Sequence, residues 1–125
     1  MLPAPQRLWN SESESFELRF LHCSDIHLGR RPIGSPNSPY SSARYEDYFS
    51  AFEYVVEWAL QNKPEAFFIT GDLFDKRDIN PDTLARTQSI LSRLKESGIR
   101  VLAIEGNHDK SFSANESWLR FLQET

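Results

Sequence analysis

Three short clusters of carboxylate, imidazole and amide side chains recur along this sequence. They read "SDIHLG", "TGDLFD" and "EGNHDK", and they supply Asp25, His27, Asp72, Asp75, Asn107, His108 and Asp109. Carboxylate oxygens and imidazole nitrogens are ligands that suit manganese, iron or zinc. A carboxylate can bridge two cations, and two ions ~3.5–4 Å apart would activate a water and stabilise the oxygens of a phosphoryl displacement. The residue types therefore indicate a metal-assisted hydrolase.

Each cluster follows an apolar run that predicts a buried strand. Strands are predicted over about residues 17–22, 66–70 and 100–105, and helices over about residues 44–62, 80–97 and 113–122. In the first helix, apolar residues from Tyr48 to Leu60 recur at helical spacing. Alternation of strand and helix predicts an α/β fold with a parallel sheet in the order βαβαβα. Ligands of such sheets lie beyond the carboxyl ends of the strands, which is where all three clusters fall.

Taken singly, each cluster has an ordinary structural explanation. An isolated Asp-x-His is most often a turn, "GD" after a strand is often only a turn, and "GNH" could be a helix-capping loop. Three clusters that each follow a predicted strand are far less compatible with chance, and together they favour a metal site.

His22, at the end of the first strand, is expected to be structural. Several aromatic residues are expected in the core: Phe49, Phe52, Trp58, Phe67 and Phe68.

The composition is that of one globular domain, which we expect to be cytoplasmic. The 125 residues are 39% hydrophobic and 26% charged, with a formal net charge of -4, which argues mildly against wrapping nucleic acid by bulk electrostatics but does not exclude a nuclease. No apolar run approaches the ~20 residues that span a bilayer, and the N-terminus does not resemble a signal peptide. The single Cys23 favours a reducing compartment. Residues 1–15 are expected to be a flexible tail, and residues 16–125 to be folded.

The three clusters resemble the first sequence blocks of the calcineurin-like metallophosphoesterases. "DIH", "GDLFD" and "GNHD" match the blocks D-x-H, G-D-x-x-D and G-N-H-[DE]. The longer sequence segments around these blocks are similar to the SbcD-type nuclease subunit of double-strand-break repair. They read "LHCSDIHLGR", "GDLFDKRDINPDTL" and "IEGNHD". The resemblance implies a two-sheet sandwich flanked by helices, of which the three strands are roughly the N-terminal half.

The resemblance also implies a role for each site residue. Asp25 and His27 would hold the first of two divalent ions, most commonly Mn²⁺. Asp72 would bridge both ions and Asn107 would bind the second. His108 would lie over the scissile phosphate as a catalytic group, and Asp75 would accept a hydrogen bond from it. Asp109 would only support the loop.

Such nucleases cut DNA as exonucleases and endonucleases in repair and recombination. They pair with an ABC-type coiled-coil ATPase of the SbcC kind and work as dimers. Four basic residues flank the metal blocks and could meet DNA phosphates, or could form a solvated rim: Arg30, Arg31, Lys76 and Arg77. The resemblance also implies further histidine blocks, whereas the only histidines here are His22, His27 and His108. We therefore expect residues 16–125 to be the N-terminal part of a metallophosphoesterase (nuclease) domain in a longer enzyme, with the C-terminal part of that domain missing.

Two alternatives to this nuclease remain open. Another calcineurin-like phosphoesterase, acting on small phosphodiesters or phosphoproteins, would carry the same blocks. A catalytically incomplete fragment or scaffold could keep the fold without activity. Against a scaffold, none of the six core positions, those with an implied metal-binding or catalytic role, is substituted: Asp25, His27, Asp72, Asp75, Asn107 and His108.

Overall fold

The structure, a computed structural model, describes residues 17–31, 38–75, 79–106 and 122. Its elements in chain order are β1 (Phe20–Cys23), α1 (Pro39–Asn62), β2 (Ala66–Thr70), α2 (Pro81–Glu96) and β3 (Arg100–Ile104). The predicted order of strands and helices is confirmed as far as β3. The predicted last helix lies outside the described residues except for Leu122, which is helical and packs against the core.

Both helices begin at a polar cap followed by proline. The Ser38 side chain accepts a hydrogen bond from the Ser41 amide at 3.1 Å, and Asn80 Oδ1 accepts one from the Thr83 amide at 2.7 Å. Proline suits the next position because its missing N–H would have no partner inside the helix. The cap at Ser38 starts α1 five residues before the predicted Arg44.

The three strands form a parallel sheet in the order β1-β2-β3, as predicted. Residues that are paired across neighbouring strands point to the same face of the sheet. One face therefore carries His22, Phe68 and Leu102. Because all three strands run the same way, their carboxyl ends meet at one edge. The loops that carry the predicted site residues therefore leave the sheet side by side.

Both helices pack on one face of this sheet, as two right-handed crossovers require. Phe67 and Ile69 are fully buried on that face, and the Phe67 ring meets the Phe52 ring of α1 edge-on at 6.4 Å. Other members of the buried core come from both helices: Phe49, Val56, Ala59, Ile90 and Leu94. This layer of side chains fixes the distance between the helices and the sheet.

The opposite face of the sheet is largely exposed. Phe20 is 57% exposed, Leu102 51% and Ile104 62%, and Phe68 is half-buried beneath the Phe20 ring. A continuous apolar run such as that of β2 is typical of a strand buried on both faces, but its fully buried residues, Phe67 and Ile69, lie on the helix side. Apolar side chains on a sheet face normally lie under a second layer of structure.

The two helices are joined by buried and charged contacts near the start of α2. The Tyr45 hydroxyl lies 2.7 Å from Thr83 Oγ1, and both side chains are buried. Arg86 donates to Glu46 at 2.8 Å while its guanidinium lies 4.0 Å from the Phe49 ring centroid. These contacts hold α2 and the loop before it in place beside the sheet edge. Within the described ranges, neither helix has both the length and the apolar character needed to span a bilayer.

Candidate metal centre

The chain leaving β1 stays paired with the chain leaving β2 beyond the ends of both strands. The Asp25 amide donates to the Gly71 carbonyl at 3.2 Å. The His27 amide donates to the Asp72 carbonyl at 3.0 Å. Because these bonds continue the parallel pairing, the first two polar clusters are fixed against each other by the backbone.

Leu28 and Phe74 anchor the far ends of these two loops. They form an isolated parallel bridge and are 1% and 0% exposed. The Leu28 amide donates to the Leu73 carbonyl at 2.8 Å, and its own carbonyl accepts from the Asp75 amide at 3.1 Å. The apolar residues that follow each polar cluster, in "DIHL" and "GDLF", thus insert into the core and hold the polar residues at the edge.

Three of the site residues have a left-handed backbone. Asp25 has φ 54°, His27 has φ 53° and Asp72 has φ 52°. For residues other than glycine this conformation costs on the order of 1–3 kcal/mol each, and it persists only where the surroundings impose it. The interloop hydrogen bonds impose it here. Asp25 and His27 are two residues apart, and the bend at each of them lets both side chains face one position.

These bends bring Asp25, His27 and Asp72 into one group. Each offers one ligand atom, and the three atoms lie within 4.8 Å of one another. The distance from His27 Nε2 to Asp25 Oδ1 is 3.8 Å. Ligands on opposite sides of one ion are separated by about twice the metal–ligand distance of ~2.0–2.2 Å, so that the group needs little contraction to close on one cation. Two carboxylates and one imidazole suit Mn²⁺, Fe²⁺ or Zn²⁺, and the residues fit the metal that the sequence predicts.

The side chains of this group differ in exposure. The Asp25 side chain is 70% exposed, whereas that of His27 is 15% exposed. Ser24, which the sequence analysis did not single out, donates its hydroxyl proton to Asp25 Oδ2 at 3.0 Å. That bond orients the exposed carboxylate, and no motif in the sequence marks Ser24 for it.

Asp75 lies against His27 on the side away from Asp25. Its Oδ1 is 3.3 Å from His27 Nδ1, and its side chain is 17% exposed. The family resemblance implies instead that Asp75 accepts a hydrogen bond from His108. His108 lies outside the described residues, as do Asn107 and Asp109, so that the contact between Asp75 and His108 stays a prediction.

Gly106 brings the third loop onto the same site. A Cβ built on Gly106 would overlap the amide nitrogen and the carboxylate of Asp72, with Asp72 Cγ at 2.7 Å. A Cβ on Gly71 would in turn lie 3.2 Å from the Gly106 Cα. Only glycine therefore allows the residue before Asn107 to lie directly against Asp72. Gly71 and Gly106 thus allow a close approach between the second and third loops.

Replacing Gly106 by alanine is expected to destabilise the protein and to loosen the metal group. The added methyl group must displace Asp72, and overpacking of this kind costs roughly 1–3 kcal/mol. Thermal unfolding and Mn²⁺ titration would measure both effects. Gly98→Ala is the control, because nothing lies within 4 Å of its Cβ position; its φ of 79° should lower stability without changing Mn²⁺ affinity. Equal Mn²⁺ affinity in both variants would contradict the close contact between the loops.

The four basic residues near the metal blocks are only partly described. Arg30 is exposed, and its amide donates to the His27 carbonyl at 3.2 Å. The Arg31 guanidinium lies 4.4 Å from the centroid of the Tyr45 ring, a cation–π contact. Lys76 and Arg77 lie outside the described residues. Arg30 is thus more open to solvent than Arg31, whose guanidinium packs on the protein.

The remaining polar residues near the sheet edge have structural roles. His22 Nε2 lies 2.6 Å from Thr70 Oγ1, a contact between neighbouring strands, in agreement with the structural role expected for His22. Burial raises the pKa of the Cys23 thiol to about 11. The Cys23 thiol also lies 3.6 Å from the Phe68 carbonyl, to which it donates.

Comparison with known proteins identifies one family over nearly the whole described chain. A sequence profile described as "Calcineurin-like phosphoesterase" matches residues 18–124. The DNA double-strand break repair protein Mre11 of Aeropyrum pernix is 37% identical over 105 residues, which are 84% of this chain and 24% of that protein. Proteins of the same name from Methanosarcina acetivorans and Haloferax volcanii are 39% and 40% identical over 86% and 74% of this chain. The alignments span 16% and 20% of those two proteins, so that the chain matches a quarter or less of each relative.

Proposed function

Because the chain belongs to the calcineurin-like phosphoesterase family, we propose that it forms the N-terminal part of a two-metal enzyme that hydrolyses phosphodiester bonds in DNA. The observation that carries this proposal is the convergence of Asp25, His27 and Asp72 within 4.8 Å at the carboxyl edge of the sheet. The relatives named as DNA double-strand break repair proteins support DNA as the substrate. Repair of DNA ends is then the cellular role.

The described residues would hold the first metal. Asp25 and His27 would bind it, Asp72 would be a ligand of this ion and of a second one, and Asn107 would bind the second. Mn²⁺ is the ion we propose for both positions, and when bound the pair would lower the pKa of a water and neutralise the phosphate oxygens. Gly106 supports the assignment of Asn107, because its backbone lies against Asp72.

Catalysis by the protein's own groups would rest on His108 and Asp75. His108 would donate a proton to the leaving oxygen or a hydrogen bond to the phosphate in the transition state. Asp75 would accept a hydrogen bond from the other ring nitrogen of His108 and so set the orientation of that ring. Four basic residues would contact DNA backbone phosphates around the metals: Arg30, Arg31, Lys76 and Arg77. Of the two that the structure describes, Arg30 is more exposed to solvent than Arg31.

The proposal requires more chain than the 125 residues. The family pattern includes further histidine blocks, and we propose that these lie in a C-terminal part of the same domain. Two observations support this view: the relatives are at least fourfold longer than the matched segment, and one face of the sheet exposes Phe20, Leu102 and Ile104. Residues 16–125 would then be the first part of the domain and residues 1–15 a tail.

We propose the remaining properties from the resemblance of the sequence to SbcD-type nucleases. The enzyme would act in the cytoplasm, pair with an ABC-type coiled-coil ATPase of the SbcC kind, and form a homodimer. Two copies of the protein would then present two sites to the ends of a DNA break. These assignments rest on that resemblance and not on contacts within the described residues.

A substrate comparison tests the proposed function. The full-length gene product with Mn²⁺ should degrade linear duplex DNA, and chelation of the metal should stop it. Under the same conditions, turnover of bis(p-nitrophenyl) phosphate should be far slower per enzyme. Efficient cleavage of the small diester without DNA degradation would mean a different phosphoesterase of this family, and no turnover of either substrate would mean a scaffold.

A further inference from the structure

We propose that Asp75 is a positioning residue for His27, and that its carboxylate keeps the proton of the His27 ring on Nδ1. The proposal rests on the metal site proposed above, but it concerns the metal-free protein as well. Asp75 Oδ1 lies 3.3 Å from His27 Nδ1. The other ring nitrogen, Nε2, faces Asp25 Oδ1 at 3.8 Å, within the group that gathers around the metal position.

The two side chains meet because their loops are joined at the backbone. The His27 amide is bonded to the Asp72 carbonyl at 3.0 Å, and the Asp75 amide to the Leu28 carbonyl at 3.1 Å. The left-handed φ of 53° at His27 turns its ring toward the second loop. Leu28, the next residue, is 1% exposed and cannot shift without opening the core. The ring and the carboxylate are therefore held in register by bonds that do not involve either side chain.

The ring nitrogen that carries the proton is the one facing the carboxylate with the stronger electrostatic attraction for it. Asp25 and Asp75 each attract a proton to the nitrogen that they face. The Asp25 side chain is 70% exposed and its oxygen is the more distant, so that water screens it. Asp75 is nearer and only 17% exposed. It should therefore prevail, and it should leave the lone pair of Nε2 directed at the metal position.

This tautomer is the one that a ligand histidine needs. A neutral imidazole binds a metal through its unprotonated nitrogen, and a carboxylate on the other nitrogen fixes the ring and raises its basicity. The 3.3 Å contact does not have the alignment of a hydrogen bond, and Nδ1 is a buried nitrogen; contacts in catalytic sites often align and tighten only when the site is loaded. A carboxylate has two oxygens, so that the Asp75–His27 contact is compatible with the predicted contact of Asp75 with His108.

The experiment measures the tautomer and the metal affinity in the full-length gene product. Nitrogen-15 spectra of the metal-free protein report which nitrogen of His27 is protonated, with the His27 signals assigned by their loss in His27→Gln. We expect Nδ1 protonated and Nε2 unprotonated. In Asp75→Asn, the amide can donate to Nδ1, so that the proton should move to Nε2, and Mn²⁺ affinity measured by calorimetry should fall roughly 10–100-fold.

Asp47→Asn is the matched control. It makes the same chemical change at a carboxylate that is 62% exposed on α1 and pairs with Arg44. Both the His27 spectrum and the Mn²⁺ affinity should stay unchanged in this variant. A wild-type ring protonated on Nε2 would overturn the proposal, as would an Asp75→Asn variant that keeps the wild-type spectrum and affinity. If wild type fails to bind Mn²⁺, the proposed function fails, while the spectrum of the metal-free protein still decides the tautomer.

Discussion

Asp72→Asn is expected to abolish Mn²⁺ binding at the two positions that Asp72 would bridge. It is also expected to lower phosphodiester hydrolysis by about three orders of magnitude or more. The lost carboxylate would contact both ions, and transition-state stabilisation by the metals amounts to several kcal/mol. At about 1.4 kcal/mol per tenfold change in rate, a loss of ~4 kcal/mol corresponds to this drop. Calorimetric titration with Mn²⁺ and single-turnover DNA cleavage by the full-length gene product would measure both effects.

The fold should survive this substitution, which is why asparagine is the informative replacement. Asp72 has φ 52°, a conformation that asparagine adopts as readily as aspartate. The two residues have nearly the same shape, so that the contact with Gly106 is retained. Removing one of two like charges that lie within 4.8 Å of each other should leave the stability of the metal-free protein equal or slightly higher. Hydrolysis within tenfold of wild type would contradict the bridging role.

His108→Ala is expected to reduce hydrolysis by roughly 10²–10⁴-fold, the range of a single general acid, while Mn²⁺ affinity stays near the wild-type value. The reason for this difference is that His108 would act on the phosphate and not on a metal. The comparison therefore separates the catalytic histidine from the ligand Asp72. Rates should be measured at saturating Mn²⁺ so that occupancy does not limit them.

His22→Ala provides the control for the loss of a histidine near the site. His22 contacts Thr70 between the strands and lies outside the group of potential metal ligands. We expect nearly normal hydrolysis in this variant, with at most a small loss of stability. If His108→Ala were as active as His22→Ala, His108 would have no part in the chemistry and the block "GNHD" would have been misinterpreted.

The fold was largely predictable because strand and helix periods are strong signals in this chain. The apolar stripe of α1 packs as expected, with Phe49 and Phe52 buried. The expectation that Trp58 is buried was wrong, since it is 48% exposed. Nine residues beyond Phe49, at roughly 100° per residue, it lies about half a turn from the buried stripe. The helical period itself therefore predicts that Trp58 lies away from the buried face of α1.

The start of α1 was missed for a different reason. Pro39 follows two other prolines in a sequence that is typical of a loop, and the helix was therefore predicted to begin after it. Ser38 and Pro39 nevertheless repeat the pattern of Asn80 and Pro81, where the second helix is predicted to begin. A polar cap followed by proline is as informative at the first helix as at the second.

At the site, the position of residues after strands was predictable, and the details of geometry were not. The gathering of Asp25, His27 and Asp72 follows from parallel strands ending at one edge. The left-handed backbone at all three residues does not, because it depends on hydrogen bonds between loops that are distant in sequence. Whether Asp75 faces one histidine or another also depends on loop packing, which no local pattern specifies.

Anomalous X-ray diffraction would locate the metal ions that we propose among these loops. Crystals of the full-length gene product grown with Mn²⁺ should show an anomalous peak in contact with Asp25, His27 and Asp72. A second peak should lie on the other side of Asp72, next to Asn107. Mn²⁺ bound elsewhere, or no peak among Asp25, His27 and Asp72 in a protein that cleaves DNA, would contradict a metal site formed by these loops.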